Sequence, residues 1–132
     1  LLGIPLTTEE EGVALACGAA LGGDRAVLLM QSSGVGNCVN MLSVVSTCRF
    51  PFLALVTMRG EWEERNEWQE PMGRATRTVL EAMGVTVLRA EEPGAVAGVV
   101  REALVAAFER EEAVAVLLAQ RLVGRKDWGD SK

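Results

Sequence analysis

The chain has 132 residues, 49% of them hydrophobic, and a net charge of −5. That size and composition suit one domain with a real core and exclude a disordered chain. The acidic balance argues against a nucleic-acid partner, and no apolar run reaches membrane-span length, so no membrane partner is expected either.

Histidine is absent, which removes Ser-His-Asp and Cys-His catalysis and most zinc sites. Any chemistry must use carboxylates, arginine, asparagine or a borrowed cofactor. Cys17, Cys38 and Cys48 are odd in number and form no Cys-x-x-Cys pair, which fits a reduced, cytoplasmic compartment. Residues 1–132 read as a single domain. The chain begins at Leu1 and almost at once enters a helix pattern, so upstream residues are expected to be missing.

Residues 8–21 read as a helix, with Thr8 and Glu11 at capping-box spacing and Gly22-Gly23 ending it. Val13, Cys17, Ala20 and Leu21 fall on its inward face. Residues 26–30 form a continuous apolar run of the kind found in buried parallel strands. Gln31-Ser32-Ser33-Gly34-Val35-Gly36-Asn37 follows and reads as a glycine turn, with a second helix over 37–48. Strand, glycine turn and helix start make a common ligand site in open α/β sheets. The turn lacks a Gly-Lys-Ser/Thr ending and the third glycine of a dinucleotide fingerprint, so it is neither of those motifs.

Residues 52–57 are the next strand. Residues 59–73 carry Glu61, Glu63, Glu64, Arg65, Glu67 and Glu70 around Trp62 and Trp68 and read as a long functional loop. Its tryptophans suggest burial against a partner or ligand. A short helix over 74–83 ends at Gly84, and 85–88 is a strand. Glu91-Glu92-Pro93 opens a further helix, and 113–118 is the last strand. Residues 120–132 form a polar tail with Leu122, Val123 and Trp128, expected to dock on another chain. The alternation implies an α/β fold: a three-layer α/β/α arrangement around a parallel sheet.

Five stretches in order carry a family resemblance: Glu9-Glu10-Glu11-Gly12-Val13-Ala14, Met30 through Asn37, Met58-Arg59-Gly60-Glu61, Gln69-Glu70-Pro71-Met72-Gly73-Arg74, and Gln120-Arg121-Leu122-Val123-Gly124. Together they resemble the pyrimidine-binding domain of thiamine-diphosphate enzymes, and more closely the α subunit of the sulfopyruvate decarboxylase and phosphonopyruvate decarboxylase family. The resemblance implies a 2-oxo acid decarboxylase subunit in a hetero-oligomer. Thiamine diphosphate would be the cofactor, with its magnesium held by a partner β subunit. This chain carries no Gly-Asp-Gly diphosphate motif; Gly129-Asp130 in the tail is not one.

The resemblance further implies that a glutamate at the start of the first helix meets the aminopyrimidine. Alignment puts that role on Glu10, with Glu9 and Glu11 as neighbours one step away. Read without the resemblance, all three are helix-capping acids. Ser33, Gly34, Val35 and Gly36 would face the cofactor; Gln31, Ser32, Asn37 and Arg59 would face the substrate. Asn37 reads equally as a helix N-cap. Arg59, after a buried strand, reads either as a fork for a carboxylate or sulfonate or as an ion pair with Glu61 or Glu63. A phosphonopyruvate decarboxylase-like enzyme and a non-catalytic subunit of the same fold are the alternatives.

Overall fold

The computed structural model describes residues 2–124. Helix α1 (Glu9–Leu21) starts after Thr8, which is extended but makes no side-chain cap; instead the Glu11 carboxylate accepts the Thr7 N–H at 2.8 Å. Three acids in its first turn complement the positive end of its dipole. Gly12 brings α1 close to the sheet: a Cβ there would meet Leu28 and Leu6 side-chain carbons at 2.5 and 2.6 Å.

Four strands follow, β1 (Leu28–Gln31), β2 (Phe52–Thr57), β3 (Thr86–Ala90) and β4 (Ala113–Leu118). They form one sheet in the order β1-β2-β4-β3, every pair parallel. Val116 of β4 lies in register with both Leu55 and Leu88. The central strands are uninterrupted apolar runs because both their faces are covered.

Helices α2 (Ser32–Cys38), α3 (Leu42–Cys48) and α4 (Glu70–Ala82) carry the crossovers from β1 to β2 and from β2 to β3. Both crossovers run the same way across the sheet, so right-handedness puts these helices on one face. There they share a core with α1 through Val13, Val35, Leu42, Phe52, Val56 and Leu80. The β3-to-β4 connection reverses direction, so α5 (Pro93–Glu109) falls on the opposite face, over Leu53, Val114 and Val116. This is the expected three-layer α/β/α fold. Helix α5 packs on β2, β3 and β4, and its side of β1 stays open, with Leu29 69% exposed.

The residues expected to form a glycine turn are helical from Ser32, and neither Gly34 nor Gly36 has a positive φ. The expected helix over 37–48 is two short helices, α2 and α3, separated by a turn at residues 39–41. Leu21, expected inward, is 78% exposed because α1 overruns the edge of its core contact. The loop after β2 is shorter than expected: a 3₁₀ turn (Glu67–Gln69) leads into α4 at Glu70. Only one turn of the tail, α6 (Gln120–Val123), is described; Trp128 and Gly129-Asp130 lie outside the described residues.

Candidate functional site

Two groups of predicted residues meet at the carboxyl ends of β1 and β2, where ligands collect in such sheets. The first joins the start of α1 to α2. Glu9 lies along α2, and a Cβ on Gly34 would sit 2.5 Å from Glu9 Cγ. Glycine at position 34 therefore serves close approach rather than a turn. Asn37, late in α2 rather than at its start, donates from Nδ2 to Glu9 Oε2 at 2.8 Å. Two residues on, on the opposite face of α2, Gly36 faces Met72, with 3.5 Å from its would-be Cβ to Sδ.

The three early glutamates therefore differ. Glu11 is held by the Thr7 N–H. Glu9 faces Gly34 and Asn37. Glu10 is half-buried, and its Oε2 is buried with no hydrogen-bond partner among the described residues. An orphaned buried carboxylate oxygen calls for an explanation, because desolvating it without a donor is costly. Both Glu9 and Glu10 act on Cys38, whose buried thiol is pushed up to about 12, first by burial and then by these two carboxylates. The fold thus concentrates negative charge at one end of α2.

The second group is a hydrogen-bonded relay across three strands. Gln120, buried just after β4, accepts the Glu61 and Trp62 N–H groups at Oε1, at 2.9 and 3.1 Å, and donates from Nε2 to Glu64 Oε2 at 3.0 Å. Glu64 accepts a two-bond fork from Arg59: Nε to Oε2 at 2.6 Å and Nη2 to Oε1 at 2.5 Å. Backbone N–H groups of Gly60 and Asn66 complete its shell. The Arg59 bond, outweighing burial, holds the Glu64 carboxyl at about 2. Arg59 then donates from Nη1 to Gln31 Oε1 at 3.3 Å, and Gln31 donates from Nε2 to Ser33 Oγ at 2.8 Å. Meanwhile the Arg59 N–H reaches Ser32 Oγ at 3.1 Å.

Gln31, Ser32, Ser33 and Arg59 are thus one cluster, and Glu9, Gly34 and Asn37 another beside it. Ser32 and Val35 are fully buried, Ser32 serving the backbone of Arg59 and Val35 the core. Glu64 and Gln120 are the members sequence reasoning did not select. A glutamate five residues after an arginine that ends a buried strand was the available signal for Glu64. Gln120 lies 56 residues from Glu64, beyond any local pattern.

A separate cleft of about 470 Å³ opens between α4 and the ends of β3 and β4, lined by Arg74, Arg77, Arg89, Glu61 and Glu91 among others. None of the predicted site residues lines it. Each arginine is paired, Arg74 with Glu70, Arg77 with Glu81, and Arg89 with Glu61 and Glu91. Among the described residues no group of three or more Cys, Asp or Glu is placed to hold a metal. Nor is any described helix long and apolar enough to cross a membrane.

No family model matches the chain. Among characterised proteins it is similar to the sulfopyruvate decarboxylase subunit alpha of Methanococcus maripaludis, 36% identical over 116 residues, covering 87% of this chain and 70% of the relative. The chain belongs to the sulfopyruvate decarboxylase alpha-subunit family. The family's member from Methanothermobacter thermautotrophicus is 37% identical over 119 residues, covering 89% of this chain and 72% of that protein. A phosphonopyruvate decarboxylase of Streptomyces viridochromogenes is 39% identical over a shorter stretch, 80 residues or 20% of its length. The alpha-subunit family therefore matches over a larger share of both chains than the phosphonopyruvate enzymes do.

Proposed function

We propose that this chain is the α subunit of a thiamine-diphosphate-dependent 2-oxo acid decarboxylase that converts sulfopyruvate to sulfoacetaldehyde and carbon dioxide. Its partner would be a β subunit holding the diphosphate through magnesium. The observation that carries the reading is the meeting of early carboxylates with α2 in a chain of this family. An aminopyrimidine needs a carboxyl able to share a proton with a ring nitrogen. The residues present fit that need: two carboxylates at the start of α1, one of them with an orphaned buried oxygen.

When bound, thiamine diphosphate would supply a carbon nucleophile and an electron sink for the bonding pair that departing carbon dioxide leaves behind. The rest is this chain's work. Glu9 and Glu10 are the two candidates for the proton-sharing carboxyl. What favours Glu9 is its position against Gly34 and the Asn37 bond that fixes it. What favours Glu10, the choice from sequence, is its unpartnered Oε2. We assign the role to Glu9 and give Glu10 the task of keeping the site electronegative. Gly34 lets Glu9 lie against α2, and Gly36 on the opposite face makes room for Met72. Ser33 and Asn37 offer polar atoms to the substrate, and Gln31, braced by Arg59, holds Ser33 in place.

The test is reconstitution. The chain, its β subunit, magnesium and thiamine diphosphate together should release carbon dioxide from sulfopyruvate. Turnover of phosphonopyruvate instead would move the chain to the relatives of that name. Complex formation without turnover of either would make it a non-catalytic subunit.

A further inference from the structure

The relay that ends at Ser33 has a fixed polarity, and that polarity says what kind of atom a ligand must present there. A carboxylate only accepts hydrogen bonds and a guanidinium only donates them. Glu64 accepts from Arg59 at 2.6 and 2.5 Å, so the orientation of the guanidinium is set by five hydrogen bonds converging on that carboxylate. The Arg59 Nη1 that remains can only donate, so the Gln31 amide turns its oxygen to it, at 3.3 Å. The amide NH₂ is then forced toward Ser33 and donates to Oγ at 2.8 Å. Ser33 accepts a hydrogen bond on its oxygen, and its own O–H must point elsewhere.

We propose that Ser33 is a dedicated hydrogen-bond donor to an acceptor atom of the ligand held at α2, with Gln31 as the positioning residue that fixes its direction. This rests on the functional reading above and refines it. The single side-chain hydrogen bond of Ser33 among the described residues is the one it accepts. Ser33 is half-buried and immediately precedes Gly34, the residue against which Glu9 packs, so it belongs to the part of α2 that the functional reading gives to the ligand. A hydroxyl whose oxygen already accepts one hydrogen bond still has its own O–H to give to a lone-pair acceptor. Two ligand sources carry such acceptors: a carboxylate or sulfonate oxygen of the substrate, and a ring nitrogen of the cofactor.

The test exploits the polarity itself. Gln31→Glu keeps an acceptor for Arg59 but removes the donor to Ser33, so the hydroxyl turns to the new carboxylate and away from the ligand. Calorimetry on the assembled complex measures Kd for thiamine diphosphate and for 3-sulfopropanoate, which has both anionic ends but no keto group to decarboxylate. Ser33→Ala and Gln31→Glu are each expected to weaken one of these ligands about tenfold or more. The double variant should be no weaker than either single one, because both remove the same hydrogen bond. Weakening of 3-sulfopropanoate alone assigns the acceptor to the substrate; weakening of thiamine diphosphate alone assigns it to the cofactor. Unchanged binding in Ser33→Ala, or losses that multiply in the double variant, overturn the proposal. Failure of the wild-type complex to turn over any 2-oxo acid strikes the functional reading instead, and the binding arms still decide the role of Ser33.

Discussion

Arg59 and Glu64 close on each other as a buried fork, with side chains only 10% and 4% exposed. The pair ties the loop after β2 to the sheet beneath it. Removing one partner leaves the other charged and desolvated, which in buried pairs costs about 3–5 kcal/mol. Arg59→Met should lower the urea midpoint by a corresponding amount with little change in slope. A shift equivalent to less than about 1 kcal/mol, the range of exposed pairs, would mean that the fork is solvated.

The same pair predicts an acid limb. The Glu64 carboxyl is depressed from 4.5 to about 2, chiefly by Arg59. A group whose folded value is depressed stabilises the fold above its unfolded value, and that stability is lost as pH falls through the folded one. The contribution should be complete above about pH 4.5 and fade toward pH 2. Unfolding free energies of wild type and Glu64→Gln should therefore converge as pH drops through that window. Curves that stay parallel would remove Glu64 as the titrating group.

Two glycines separate packing from propensity. Gly73 faces the backbone of Arg59 and Gly60, so a Cβ has no room and its neighbours are main chain. Gly73→Ala should destabilise by about 1–3 kcal/mol through overpacking. Gly98, inside α5 with nothing within 4 Å, has no such neighbour. Gly98→Ala should stabilise by up to about 1 kcal/mol. Thermal unfolding of the two variants should move in opposite directions.

The cysteines divide by burial. Cys48 is exposed, while Cys17 and Cys38 are buried and both have thiols raised, chiefly by burial. A thiol reagent at pH 8 should label one residue quickly in the folded chain and all three in urea. Rapid labelling of Cys38 in the folded chain would contradict the packing of α2 against α1.

Strands β2 and β4 were legible to the residue, because a strand buried on both faces must be an unbroken apolar run. Their neighbours' order was legible only as an alternation; that β4 inserts between β2 and β3 depends on tertiary pairing. Helix α2 was hidden. Ser-Ser-Gly-Val-Gly-Asn has poor helix propensity and reads as a turn. Packing overrides that, since Glu9 and Met72 need the space that Gly34 and Gly36 leave. The three early glutamates were legible as a group, but the direction each takes is a matter of helix phase against α2. Arg59 was visible as a buried-strand arginine, yet its partner proved to be Glu64 rather than Glu61 or Glu63. Glu61 turns to Arg89 instead, at 2.8 Å.

On the proposed function, a carboxylate at the start of α1 works on a cofactor held against α2. Carbon dioxide release from sulfopyruvate by the complex reconstituted with its β subunit, magnesium and thiamine diphosphate tests it most directly. The measurement compares wild type, Glu9→Gln and Glu10→Gln. Glu9→Gln should fold and assemble but lose turnover by a factor of about 100 or more, the scale of a lost proton-transfer group. Glu10→Gln should retain most of its activity. Full turnover in Glu9→Gln would overturn the assignment to Glu9, and full turnover in both variants would remove the early carboxylates from the chemistry altogether.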